Sequence, residues 1–310
     1  QTTLQEFNDN TYYSPHATSL RMCDIGYQNS LENEVGFKAS YDSLDTYVSS
    51  LSKAIETPSS RFQEIGIKVD GSYRQLNANM LQIENEYYSS VRPKQVPEAN
   101  EKPTLALRRR GVRYVELRSL DINIFDPQGI SETQCRFIET FMAFCLLHDS
   151  PAINPQERKE IDYNLDAVAY RGREPGLQLQ HHGDTLPLQQ WAGELCTAME
   201  SFADSFDSNE AASPYRDALQ QQQAAVADPE KTLSAQVLAG MRKHNEGYFH
   251  YAQRISKQHQ QYFLNMKHDT AQFDLFKQNV RESLHQQRAM EAEQHESFDE
   301  FLKNYFAQTL

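Results

Sequence analysis

The sequence predicts an α+β fold, with antiparallel strands gathered in residues 1–130 and a mostly helical stretch over residues 131–310. Three observations carry this expectation. Residues 111–123 read as a β-strand that opens at Gly111 and closes before Asp126-Pro127-Gln128-Gly129. A second stretch, residues 81–88, alternates cleanly between apolar and polar side chains. From Ser131 almost to the end, apolar residues recur at helical spacing.

Taken in order, residues 11–29 read as extended backbone and turn, broken by Pro15 and Gly26, with Arg21 and Tyr27 as the notable polar groups. Residues 39–56 place Leu44, Tyr47, Val48, Leu51 and Ile55 three and four apart, the stripe of an amphipathic helix that faces a core. In the strand expected at 81–88, Leu81, Ile83 and Tyr87 point one way and Gln82, Glu84, Glu86 and Tyr88 the other. Pro93 ends that block, residues 95–105 read as an exposed loop, and the two strands are expected to pair as a hairpin around it. Ser131 with Gln134 forms a capping box for the first helix, whose stripe is Phe137, Phe141 and Phe144. Cys135 and Cys145 fall in the same pattern and read as buried thiols. Asn154-Pro155 opens the next helix with an N-cap and a proline at the first position. Arg171 to Gly176 is a turn-rich connector, Leu188–Phe206 a helix with the only tryptophan, and Asp228-Pro229 the start of another. The tail from Asp269 carries two apolar stripes and reads as surface helix packed on the body.

Alternation along the central strand puts Val112, Tyr114, Glu116 and Arg118 on one face. Glu116 and Arg118 lie roughly 6.6 Å apart along the strand, a long gap for an ideal ion pair but suited to gripping two parts of one anionic ligand. A carboxylate is a hard ligand for Mg²⁺, and a guanidinium offers a planar fork to phosphate oxygens. This face can therefore be half of a metal-nucleotide site, or it can be a solvated surface whose charges pair with neighbouring strands.

With 39% hydrophobic and 24% charged residues, the chain is globular rather than disordered. A net charge of −13 argues against sequence-independent nucleic-acid binding, which needs basic surface. No apolar run reaches membrane-spanning length, so no membrane partner is expected. The four cysteines are widely spaced, which points away from a disulfide framework or structural zinc and toward the cytoplasm. The ten histidines show no metalloprotease spacing, and there is neither a Rossmann fingerprint nor a P-loop. A start at Gln1 suggests a processed piece or one part of a longer protein.

Three motifs in one order, Ala-Thr-Ser-Leu-Arg-Met-Cys-Asp-Ile-Gly-Tyr (17–27), Leu-Gln-Ile-Glu-Asn-Glu-Tyr-Tyr (81–88) with Arg92-Pro93-Lys94, and Tyr-Val-Glu-Leu-Arg-Ser-Leu-Asp-Ile-Asn (114–123), resemble the C-terminal part of glutamate–cysteine ligases of the proteobacterial type. The connector at 171–177 matches as well. The resemblance implies strands of a glutamine-synthetase-like central sheet, with residues 1–130 forming the sheet side of a catalytic domain, 131–310 a helical region packed on it, and the N-terminal part of that domain absent. It implies ATP-dependent joining of L-glutamate, through its γ-carboxylate, to L-cysteine by way of γ-glutamyl phosphate. Glu116 would then hold Mg²⁺, Arg118 would act on the transferred phosphoryl group, and Arg21, Tyr27 and Tyr88 would hold the cysteine. The family's remaining metal ligands lie in the absent region, so an N-terminal fragment of the same protein is a candidate partner. Arg108-Arg109-Arg110 stands where the family has a more Gly-rich turn. The rival expectations are a truncated, non-catalytic relative serving as a helical interaction module, and a carboxylate–amine ligase with another amine.

Overall fold

The computed structural model describes residues 4–8, 10–27, 37–267, 269–293 and 296–309; the last two positions of the expected 11–29 segment lie outside them. Among the described residues helices predominate, and the strands form four separate two-stranded antiparallel sheets, the α+β class that the sequence predicts.

The chain opens with β1 (Gln5–Asn8) and β2 (Thr11–Tyr13). The first amphipathic helix, α1 (Leu44–Glu56), starts five residues later than its stripe suggests, because Ser43 and Thr46 form a capping box that stops it there. Its apolar face behaves as expected: Tyr47, Val48, Leu51 and Ile55 are core residues, packed with Leu81, Tyr87 and Leu107. The short helix α2 (Ser60–Ile65) and the hairpin β3 (Lys68–Val69) and β4 (Ser72–Tyr73) follow.

Residues 81–88 are not a strand. They hold a 3₁₀ turn at Glu84–Glu86, and the strand that pairs with the central one is β5 (Val91–Lys94). Side chains explain the difference. Gln82 Oε1 accepts from Leu76 N at 2.5 Å, Asn77 Nδ2 donates to the Gln82 carbonyl at 2.9 Å, and Glu86 Oε2 accepts from Gln82 N at 2.6 Å. Polar side chains have taken the backbone groups that a sheet would use. Glu84 is consequently buried and accepts from Thr104 Oγ1 at 2.5 Å, instead of sharing a face with Tyr88. The expected loop at 95–105 also gives way to helix α3 (Pro103–Arg110) at its end, started by a proline at the first turn. Gly111 ends α3 at φ 74°, and the central strand is β6 (Tyr114–Leu117), shorter than the sequence suggests.

Helix α4 (Glu132–Leu147) begins at the predicted Ser131–Gln134 capping box. It packs through Phe137, Phe141 and Phe144 on a core made with Cys196, Met199, Ala203 and Leu219. Cys135 and Cys145 lie outside that stripe and are exposed, contrary to expectation; Cys23 and Cys196 are the buried thiols. Asn154 caps α5 (Pro155–Arg171) as predicted. A hairpin missed in the sequence, β7 (Gln178–His181) and β8 (Asp184–Pro187), turns at His182 and Gly183 with φ of 52° and 88°. Positive φ at both central positions suits a two-residue hairpin, and His-Gly is a weaker signal for it than Asn-Gly. The helix expected at 188–206 is two, α6 (Leu188–Ala198) and α7 (Glu200–Asp207), which meet at Met199. Helices α8 (Pro214–Ala227), α9 (Leu233–His244) and α10 (Tyr248–Leu264) follow. In the tail, α12 (Phe298–Ala307) docks as expected, with Leu302 buried and Phe298 edge-on to Tyr73 at 5.0 Å. Helix α11 (Thr270–Ala292) does not: none of its residues is buried, and Phe273, Phe276, Val280 and Leu284 are exposed. Among the described residues no helix is long and apolar enough to cross a membrane.

Candidate functional site

The register of β5 against β6 sets Arg92 opposite Glu116 and Lys94 opposite Tyr114. Directly opposed residues point to the same side of a sheet, so Arg92, Lys94, Tyr114 and Glu116 share one face. Arg118 follows two residues later, held by its N–H to the Ser90 carbonyl at 2.8 Å. The Glu116–Arg118 gap proves short enough for an ion pair: Nη1 of Arg118 lies 3.1 Å from Oε1 of Glu116. The other oxygen, Oε2, is 3.4 Å from Lys94 Nζ on the adjacent strand. That oxygen is buried and accepts no hydrogen bond. The two side chains keep 36% and 24% of their surface, respectively, so they line a partly sheltered wall rather than an open face.

The loop carrying Arg21 and Tyr27 meets this wall through Arg21 Nε, which donates to the Arg118 carbonyl at 2.7 Å. The loop closes on itself: Tyr27 N donates to the Arg21 carbonyl at 2.7 Å and Gly26 N to that of Cys23 at 2.9 Å. A Cβ at Gly26 would collide with the carbonyl oxygens of Leu20 and Arg21, so this turn needs glycine. The Arg21 guanidinium sits 5.0 Å from the Tyr27 ring, Tyr27 lies 5.5 Å from Tyr88, and the Arg118 guanidinium is 5.6 Å from Tyr88. All five residues singled out in the sequence (Arg21, Tyr27, Tyr88, Glu116 and Arg118) thus form one continuous surface.

Sequence reasoning missed Arg92 and Lys94 as members of the site. Arg92-Pro93-Lys94 has the period-two spacing of a strand, but the cleaner alternation at 81–88 masks it and Pro93 reads as a strand end. Arg92 is buried, and desolvation together with the nearby Arg118 lowers its guanidinium below the usual range. Burial pushes the Tyr47 phenol up in the same region. Beside Lys94 a cavity of about 150 Å³ opens on this face, walled by Tyr47, Glu84, Arg92, Lys94 and Tyr114. A second cavity of about 310 Å³, in the helical half, has no charged side chain in its lining and offers no comparable chemistry.

Arg21, Arg92, Lys94 and Arg118 outnumber the carboxylates of Glu116 and Glu84 here, a local excess of positive charge in a chain of net charge −13 that suits a polyanionic ligand. Glu116 Oε2, without a hydrogen bond though paired with Lys94, is a hard oxygen of the kind that divalent cations bind, and Mg²⁺ commonly combines one or two carboxylates with phosphates and water. Among the described residues no three His, Cys, Asp or Glu side chains are grouped to hold a metal.

A family model described as glutamate-cysteine ligase matches residues 1–168. The chain is 42% identical over 308 residues to a glutamate–cysteine ligase of Alcanivorax borkumensis, covering 98% of this chain and 58% of that protein. It is 43% identical over 307 residues to one of Pseudomonas paraeruginosa, covering 99% and 58%. Its fold is similar to the crystal structure of a Francisella tularensis glutamate–cysteine ligase in complex with AMP, at a TM-score of 0.88 and 33% identity over 98% of this chain and 59% of that one. A bifunctional glutathione synthetase of Pasteurella multocida shares the fold at a TM-score of 0.53 and 19% identity, covering 83% of this chain and 28% of that one. The chain spans 58% of the length of the two curated relatives.

Proposed function

The chain belongs to the glutamate–cysteine ligase family, and on that premise we propose that it carries the acceptor and phosphoryl side of a site that joins L-glutamate to L-cysteine at the expense of ATP, the first step of glutathione biosynthesis. The observation that supports this best is the unbroken surface from Arg21 through Tyr27 and Tyr88 to Arg118 and Glu116. One end suits an amino acid and the other a phosphoryl group with its metal.

The chemistry balances in two steps. A γ-carboxylate oxygen of glutamate attacks the terminal phosphorus of ATP, giving γ-glutamyl phosphate and ADP. The cysteine amine then attacks the acyl carbon, the C–O bond to phosphate breaks, and the amine gives up a proton. Arg118 would face the equatorial oxygens of the moving phosphoryl group, where a fixed guanidinium offsets the charge of the transition state. Lys94 lies near enough to Glu116 to add a second positive charge to that region. Arg21 would hold the cysteine carboxylate as a fork, with the Tyr27 and Tyr88 rings walling the thiol from water. Glu116 would hold Mg²⁺, which when bound neutralises phosphate oxygens. The AMP in the Francisella relative supports the nucleotide assignment. All four cysteines are free thiols, which supports a reducing compartment such as the cytoplasm.

The test is phosphate release from ATP by the full-length gene product, with Mg²⁺ and glutamate, in the presence and absence of cysteine. Cysteine-dependent release is expected, with alanine and 2-aminobutyrate poorer acceptors. Release that ignores cysteine, or no release, overturns the assignment.

A further inference from the structure

Arg92 is buried, with 6% of its surface exposed, and among the described residues it forms no ion pair, although Glu116 is its cross-strand neighbour. Its Nη2 donates to the carbonyl of Asn85 at 3.1 Å and to that of Tyr87. Its Nε is buried with no hydrogen-bond partner. Its guanidinium stands 5.8 Å from the Tyr88 ring, the same ring that Arg118 approaches at 5.6 Å. Two like charges beside one phenol, one of them desolvated, is an arrangement that stability alone does not favour.

We propose that Arg92 is a positioning residue for the acceptor amino acid: it locks the backbone on either side of the Asn85–Tyr88 turn and braces the Tyr88 ring, so that this phenol meets the acceptor beside Arg118. This deepens the ligase reading and rests on it. Both bonds leave from the one Nη2, so the guanidinium holds two carbonyls from a single nitrogen while its planar cation stays beside an aromatic ring, and a lysine ammonium has no planar group to lay there. Arg92 is committed to the two backbone carbonyls and stands 5.8 Å from the ring, so its effect is expected on acceptor binding more than on ATP.

The experiment is a double-substitution cycle in the full-length enzyme. Arg92→Lys keeps the charge and Arg92→Met keeps much of the volume; each is made alone and in a Tyr88→Ala background. KM for cysteine and for ATP is measured for every variant. The expected result is a rise of about tenfold in the cysteine KM for both single variants, with the ATP KM nearly unchanged and the effect lost once Tyr88 is gone. Parallel rises in both KM values, or an undiminished Arg92 effect without Tyr88, overturn the proposal. If Arg92→Met fails to fold, Arg92→Lys carries the same comparison. Wild-type enzyme with no cysteine-dependent turnover brings down the ligase reading, and this inference with it; normal wild-type turnover with an unchanged cysteine KM in the variants brings down this inference alone.

Discussion

At the scale of single residues, the ligase reading proposed above separates groups that would act from groups that would shape. Arg118 is proposed as the first kind. Its carbonyl receives Arg21, but any residue at that position supplies a carbonyl, so Arg118→Ala leaves the loop's anchor in place. The variant is expected to melt close to wild type and to lose about 10²–10³ in kcat, the usual cost of removing one preorganised donor from a charged transition state. Near-normal turnover in a steady-state assay would remove Arg118 from the reaction. Gly26 is the second kind. Gly26→Ala drives a methyl group into two backbone carbonyls and must open the turn between Arg21 and Tyr27. Because both clamp residues move together, the cysteine KM is expected to rise several-fold while the ATP KM stays put; kinetic titration of each substrate checks this. The five contacting residues were legible in the sequence because strand alternation fixed Glu116 and Arg118 and the family motifs supplied Arg21, Tyr27 and Tyr88. Arg92 and Lys94 were not, since alternation at 81–88 imitated a strand where side chains in fact bind the backbone.

At the scale of elements, the caps at Ser131 and Asn154 are the most readable features, whereas the Ser43 cap that delays α1 is not read from its stripe. Ser131 and Asn154 both start helices where the sequence places them, because each cap is a local exchange of hydrogen bonds that needs no distant partner. Elements fixed by long-range partners were harder to see. The β7–β8 turn is held by Glu160 of α5, whose carboxylate accepts from His182 N at 3.0 Å and Gly183 N at 2.9 Å. The hydrogen bond from Gln156, helped by those of Gly183 and His182, keeps the Glu160 carboxyl below the ordinary glutamate range. A depressed folded-state pKa gives stability that is fully present above the ordinary value and lost as pH falls through the folded one. Glu160→Gln is therefore expected to lower the melting temperature at neutral pH, and the gap to wild type should close as the solution is acidified. Thermal melts across that range test it; a gap that is constant with pH would mean the charge is immaterial there.

For the whole molecule, the helical half does more than cover the strands. The segment from Ser14 to Thr18, which leads into the Arg21 loop, is tied to the end of α5: Thr18 N and Oγ1 donate to the carbonyls of Ala169 at 3.0 Å and Val168 at 2.7 Å. Arg173, in the connector that the sequence marked as turn-rich, is the principal tie. It is buried, donates to the carbonyls of Pro15 at 2.6 Å and Ala17 at 3.0 Å, and reaches Glu230 at 3.3 Å. No local pattern in the sequence could show this, because its partners lie about 57 and 158 positions away. Arg173→Ala leaves two carbonyls without their charged donor and is expected to cost about 3 kcal/mol in chemical denaturation. It should also weaken cysteine binding without touching ATP, since the loop it secures carries Arg21 and not Arg118. Arg173→Lys should recover little of either loss, because one ammonium lacks the fork that spans Pro15 and Ala17. A destabilised variant with an unaltered cysteine KM would show that the acceptor clamp is set by the sheet alone, and that α5 and its connector serve only stability.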